Sequence, residues 1–137
     1  MTELELSEHA LFAGEQAREQ VILWLSAADV FVLATDMEGC PNVVWEALAC
    51  GRPVVATKVG EIERMVPPFG GVLFADPDDA AALRLALEQA LSRPWDQGAI
   101  RAYAAAHTWS KVAQRVLLEW RAACGRSVPL EPEALLR

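Results

Sequence analysis

Cysteine, histidine and positive charge are all scarce in this sequence. Three cysteines (Cys40, Cys50 and Cys124) and two histidines (His9 and His107) are scattered over 137 residues. An odd number of thiols with no metal-ligand spacing supports neither a disulfide framework nor a zinc site. Reduced thiols, as in a cytoplasmic protein, are the expectation. Lysine and arginine number 12 against 19 acids, for a formal net charge of −7. That balance excludes a general nucleic-acid or membrane surface. A phosphate-bearing small ligand stays within reach, because helix N-termini hold anions through backbone N–H groups without basic side chains. No apolar run approaches the ~18 residues of a transmembrane span, and the acidic opening MTELELSEHA has no apolar signal core. Internal repeats and low-complexity segments are also lacking. The chain is expected to be cytoplasmic.

What the sequence does have is apolar content. Hydrophobic residues make up 53% and charged residues 23%, ample for the core of one globular domain. Its centre is the stretch Ala28 to Thr57, ADVFVLATDMEGCPNVVWEALACGRPVVAT. Val30–Leu33 and Pro53–Ala56 are short, β-branched runs of the kind that form buried parallel strands. Between them lie a polar loop and a helix that ends before Gly51. The whole is a βαβ unit, and such units carry ligand-binding loops at the carboxyl ends of their strands.

Around it the order is regular. Residues 1–9 read as a flexible N-terminus, 10–124 as the domain and 125–137 as a loosely attached tail with two prolines. Ala10–Ala13 is a strand candidate stopped by Gly14. Arg18–Ala27 reads as a helix with Val21, Ile22, Trp24, Leu25 and Ala28 on one face. A short helix over Glu61–Val66 is halted by Pro67-Pro68, and Gly71–Phe74 is the next strand. Asp76 is expected to cap a helix running to about Ser92, with Leu83, Leu87 and Leu91 aligned. A helix from about Asp96 to Ala106 follows. Thr108 then caps one from Trp109 to Ala123 with Gly125 past its end, its apolar face made by Val112, Val116, Leu117 and Trp120. The fold class is α/β and partial Rossmann-like, with about four mostly parallel strands and helices on both faces.

The run from Glu38 to Thr57, EGCPNVVWEALACGRPVVAT, resembles the retaining group 1 (family 4) glycosyltransferases of the two-domain GT-B fold. Their signature is a Glu, seven intervening residues and a second Glu. The lead-in Leu25–Val32, the later Val59-Gly60, Val72–Phe74 and Asp76-Pro77, and the Thr108-Trp109-Ser110 helix match as well. The resemblance covers roughly residues 10–122. It implies a partial C-terminal donor domain, the later two-thirds of one. The first two strands of such a domain, and the Gly-Arg and Lys that neutralise the donor diphosphate, fall outside it. Complete enzymes pair an acceptor domain with this donor domain, on the order of 300 residues or more together.

The resemblance also implies roles. Glu46 binds the ribose hydroxyls of a nucleotide, as suits a carboxylate accepting two hydrogen bonds from a vicinal diol. Glu38 sits beside the transferred sugar and is the candidate catalytic residue. Gly39, Cys40 and Pro41 bring backbone close to the donor, and Asn42 and Val43 open a helix whose free N–H groups face the diphosphate. Thr57 and Gly60, at the end of the next strand, are expected to line the same crevice. Glu61 and Glu63 stand where the family has Gly and Pro, and Glu61 would put negative charge near a diphosphate. No metal and no cofactor is implied beyond the nucleoside diphosphate sugar as donor substrate. The expected function is donor binding for glycosyl transfer with retention, completed by an acceptor domain or partner chain. The alternative is a non-catalytic, oligomerising interaction module. In the strand order 3-2-1-4-5-6, absence of the first two strands opens an edge in mid-sheet. Either the Ala10–Ala13 strand re-pairs there, or another chain does, as a homodimer or by strand exchange.

Overall fold

Three short apolar runs become strands because each finds a neighbour to complete its backbone hydrogen bonds. The computed structural model describes Leu6 and residues 8–125; most of the segment 1–9, expected to be a flexible N-terminus, and the expected tail after Gly125 lie outside them. Elements follow in the order α1 (Arg18–Ala27), β1 (Phe31–Leu33), α2 (Asn42–Ala49), β2 (Val54–Thr57), α3 (Ile62–Met65), β3 (Gly71–Phe74), α4 (Ala80–Ser92), α5 (Gln97–Ala105) and α6 (Trp109–Cys124). The strands form one parallel sheet in the order β1-β2-β3. Phe31 lies opposite Val54, and Val54 opposite Gly71.

β2 is buried along its whole length, as a parallel strand covered on both faces must be. Val54 and Ala56 point into a core with Leu25 of α1, Val44, Ala47 and Leu48 of α2, Ile62 and Met65 of α3, and Ile100 and Ala104 of α5. Val55 points the other way, to Phe74 and to Ala86 and Ala90 of α4. Helices thus cover both faces, four on one and α4 on the other. The βαβ crossovers keep one hand, which puts α2 and α3 on a common face. Gly71 permits the tight β2–β3 contact: a Cβ there would stand 2.1 Å from the Val54 carbonyl oxygen.

The α/β class and the parallel sheet are as expected, with three strands among the described residues where about four were expected. Ala10–Ala13 forms no strand. Leu11 and Phe12 are exposed, and a strand without a ladder partner has nothing to satisfy its backbone. The outer edge of β1 therefore has no partner among the described residues. Phe31 donates its N–H to the Pro53 carbonyl (2.9 Å), so the backbone groups of Val32 face the open side.

Helix ends are set by side-chain caps at three places. Asp96, expected within the helix start, caps α5 by accepting from Ala99 N–H; Thr108 accepts from Lys111 N–H as expected, and Gly125 closes α6 in the left-handed conformation. The α4 cap is Asp79, not Asp76: Asp79 accepts from Ala82 N–H at 2.9 Å. Asp76 uses its carboxylate on Asp78 N–H in the preceding turn, so the helix starts three residues later. Leu83 and Leu87 are half-buried, while Leu91 is exposed and Ala86 and Ala90 carry the α4 contact. In α1 only Leu25 is buried, and Ile22 and Trp24 of its expected apolar face are exposed. Helix α6 is amphipathic yet contains no buried residue. No described helix is long and apolar enough to cross a membrane.

Candidate functional site

The loops at the carboxyl ends of β1 and β2 are tied to each other. Glu61 N–H donates to the Gly39 carbonyl at 2.9 Å. Gly60 adopts φ +54°, and a Cβ there would meet the Glu38 carbonyl oxygen at 2.0 Å. Thr57 is fully buried. It accepts from Thr35 N–H at 3.1 Å and donates its hydroxyl to the Thr35 carbonyl. Thr57 therefore holds the β1 loop, with its side chain buried beneath it. Gly60, expected to line the same crevice, is the point where the two loops touch.

The pinned loop delivers Glu38, half-buried, and Gly39 and Cys40, both exposed, to the start of α2. Pro41 is buried and occupies the N-cap, with no side-chain oxygen capping the helix. Asn42 and Val43 follow as its first residues, with backbone N–H groups that have no acceptor within the helix. Glu46 lies one turn further on, half-buried.

Glu46, Asn42 and Cys40 line a groove of about 690 Å³ together with Arg18, Trp45 and His107. Its far wall is α6, through Trp109 and Val112. A second cavity of about 540 Å³ continues past Cys40, Trp45 and His107, between α3 and α6. Both volumes fall in the range that holds a drug-sized or nucleotide ligand. Glu38, Gly39 and Gly60 shape the adjoining loops and are not among the residues lining either cavity.

Aromatic stacking floors this groove, and no sequence motif announces it. The Trp45 ring stacks on His107 with centroids 4.8 Å apart, and His107 lies 4.5 Å from Tyr103. Phe69 meets Tyr103 edge-on at 5.7 Å. Such contacts contribute beyond area burial alone. His107 Nδ1 donates to the Tyr103 carbonyl at 2.8 Å. The Tyr103 hydroxyl donates to the Arg64 carbonyl at 3.3 Å, and burial pushes the phenol above its ordinary pKa. The signal available in sequence was the four-residue spacing of Tyr103 and His107 across the end of α5.

Glu61 is not a bare negative charge. Arg64 Nη1 lies 3.1 Å and 3.2 Å from its two carboxylate oxygens, and Lys58 stands 3.7 Å from Glu63. Among the described residues no group of three or more His, Cys, Asp or Glu side chains could hold a metal ion.

The family model described as glycosyl transferases group 1 matches residues 1–107. A D-inositol 3-phosphate glycosyltransferase of Corynebacterium urealyticum is 31% identical over 135 residues, which are 96% of this chain and 31% of that protein. A mannosylfructose-phosphate synthase of Agrobacterium fabrum is 32% identical over 120 residues, 83% of this chain and 26% of the relative. Among solved structures, a sucrose-phosphate synthase from Thermosynechococcus elongatus superposes with a TM-score of 0.70 at 28% identity, over 92% of this chain and 33% of the other. The chain spans between a quarter and a third of the curated relatives named first here and of their kin.

Proposed function

The chain belongs to the group 1 glycosyltransferases, and on that premise we propose that it is the nucleotide-sugar-binding part of a retaining enzyme. The observation that carries this reading is the placement of Glu46 in the groove, beside the uncapped start of α2. A carboxylate at one end and open backbone N–H groups next to it offer partners for a ribose diol and for phosphate oxygens respectively. Glu38, on the pinned loop, is the residue assigned to the transferred sugar. The reaction breaks the bond between the sugar's anomeric carbon and the diphosphate oxygen. The anomeric carbon then bonds to an acceptor hydroxyl, which gives up its proton, with configuration retained.

Acceptor binding falls to polypeptide beyond these 137 residues, as the share of each relative that is covered suggests. The open edge of β1 supports the same view. An unpaired strand recruits a strand, and the occupant we infer is the complementing part of the enzyme. A homodimer or a strand exchange between copies is the competing outcome, which light scattering distinguishes by mass. Three free thiols accord with a cytoplasmic location.

The decisive experiment is calorimetric titration with uridine and guanosine diphosphate sugars. Binding by the wild type and its loss in Glu46→Ala is the expected result. No heat with any donor sinks the reading.

A further inference from the structure

We propose that α6 is the second wall of the donor groove, and that Lys111 and Arg115 on it supply the positive charge for the ligand's phosphates. This rests on the donor-binding reading above and adds to it a source of cationic charge within the chain.

The first observation is the state of α6. It is amphipathic but buries nothing, and Trp109 is 75% exposed. Val112 lines both cavities, Trp109 the larger and Val116 the smaller. The helix thus turns apolar side chains toward the body of the domain and remains separated from it by open space. Thr108 Oγ1, accepting from Lys111 N–H at 3.4 Å, fixes where the helix departs from α5.

The second observation is charge. This chain carries 19 acids against 12 bases, yet the smaller cavity is lined by Arg64, Lys111 and Arg115 with Glu61 as its one acid. Arg64 is taken up by Glu61. Lys111 and Arg115 are four residues apart, so they share one helix face. Among the described residues neither makes an ion pair. Two surplus cations therefore face a cavity in an otherwise acidic molecule.

The third is continuity. Cys40, Trp45, His107 and Val112 line both cavities, which makes them one groove. Glu46 and the start of α2 lie along the larger part, and the cations along the smaller. A ligand with a diol at one end and phosphates at the other, a nucleoside diphosphate, matches that arrangement of charge.

The test uses inorganic pyrophosphate, uridine and uridine diphosphate as separate probes, with guanosine and its diphosphate in parallel. Each is titrated into the wild type, Lys111→Gln/Arg115→Gln and Glu46→Gln. Both sites of the double variant are exposed, so the fold should be kept, and a circular dichroism melt verifies it. The double variant should lose about tenfold or more in affinity for pyrophosphate and the diphosphates while binding the nucleosides as before. Glu46→Gln should weaken nucleosides and diphosphates and leave pyrophosphate unchanged. Exchange of the two charges, Lys111→Arg/Arg115→Lys, should restore binding. A double variant that binds every probe like the wild type overturns the role of α6 and leaves the donor reading standing. Pyrophosphate bound through Lys111 and Arg115 with no nucleoside or diphosphate bound supports the cationic wall and sinks the donor reading. Binding of no probe overturns both.

Discussion

Gly60 lies directly against Glu38: a Cβ on Gly60 would stand 2.0 Å from the Glu38 carbonyl oxygen. The loop that carries the candidate catalytic carboxylate is therefore seated on a residue without a side chain. Gly60→Ala adds a methyl group into backbone and asks alanine to hold φ +54°. We expect a loss of about 2 kcal/mol or more in urea denaturation, together with weaker donor binding as Glu38 is displaced. Unchanged stability and affinity would show that the loop is free to move away.

Thr57 and Thr35 make a reciprocal pair of hydrogen bonds at the base of the same crevice. Thr57→Val keeps the shape and removes both bonds, leaving Thr35 N–H without its acceptor. The expected cost is about 1–3 kcal/mol, read as a shift of the urea midpoint at constant slope. Donor affinity should fall only through this loosening, so Thr57→Ser should recover most of it.

Tyr103 should contribute to the alkaline decline of stability. Its phenol is raised above the ordinary value of about 10 by burial. A folded pKa above the unfolded one stabilises fully below the unfolded value, and that contribution is lost as pH rises through the folded value. Wild-type stability should therefore decline above about pH 10, and Tyr103→Phe should flatten this part of the profile. Identical profiles for the two proteins would contradict the assignment.

Val32 sits at the middle of the open β1 edge and is 40% exposed. Val32→Lys places a charge where another strand would pair. Folding stability should change by about 0.5 kcal/mol or less, while association through this edge should fall sharply in sedimentation velocity. Association that persists unaltered would locate it elsewhere on the molecule.

Local signals were legible wherever one residue type had one job. Asp96, Thr108 and Gly125 mark helix ends because capping chemistry depends on the residue and its immediate neighbours. The run from Glu38 to Thr57 was legible because strand, turn and helix signals agree along it. Ambiguity entered where chemistry had two outlets. Asp76 and Asp79 can both cap, and only the turn taken at Asp78 decides between them. Thr57 is polar at a strand end, and no pattern reveals that Thr35 has already claimed its hydroxyl. The Ala10–Ala13 run has strand composition, but a strand is a property of a pair. Periodicity likewise identified the apolar face of α6 without saying what stands opposite it, and the stack of Trp45 on His107 joins residues far apart in the chain.

If the open side of β1 recruits a strand, as proposed, the charge of the chain bears on which strand arrives. Copies that each bear a net charge of −7 repel one another at the separations where an encounter begins, most strongly at low ionic strength. A polypeptide of neutral or positive character meets no such barrier and reaches the edge faster. Surface charge would then rank the candidates for β1 before any backbone hydrogen bond forms, and salt would relax that ranking. Crowded, saline conditions should then favour like meeting like, and dilute, low-salt conditions the foreign strand.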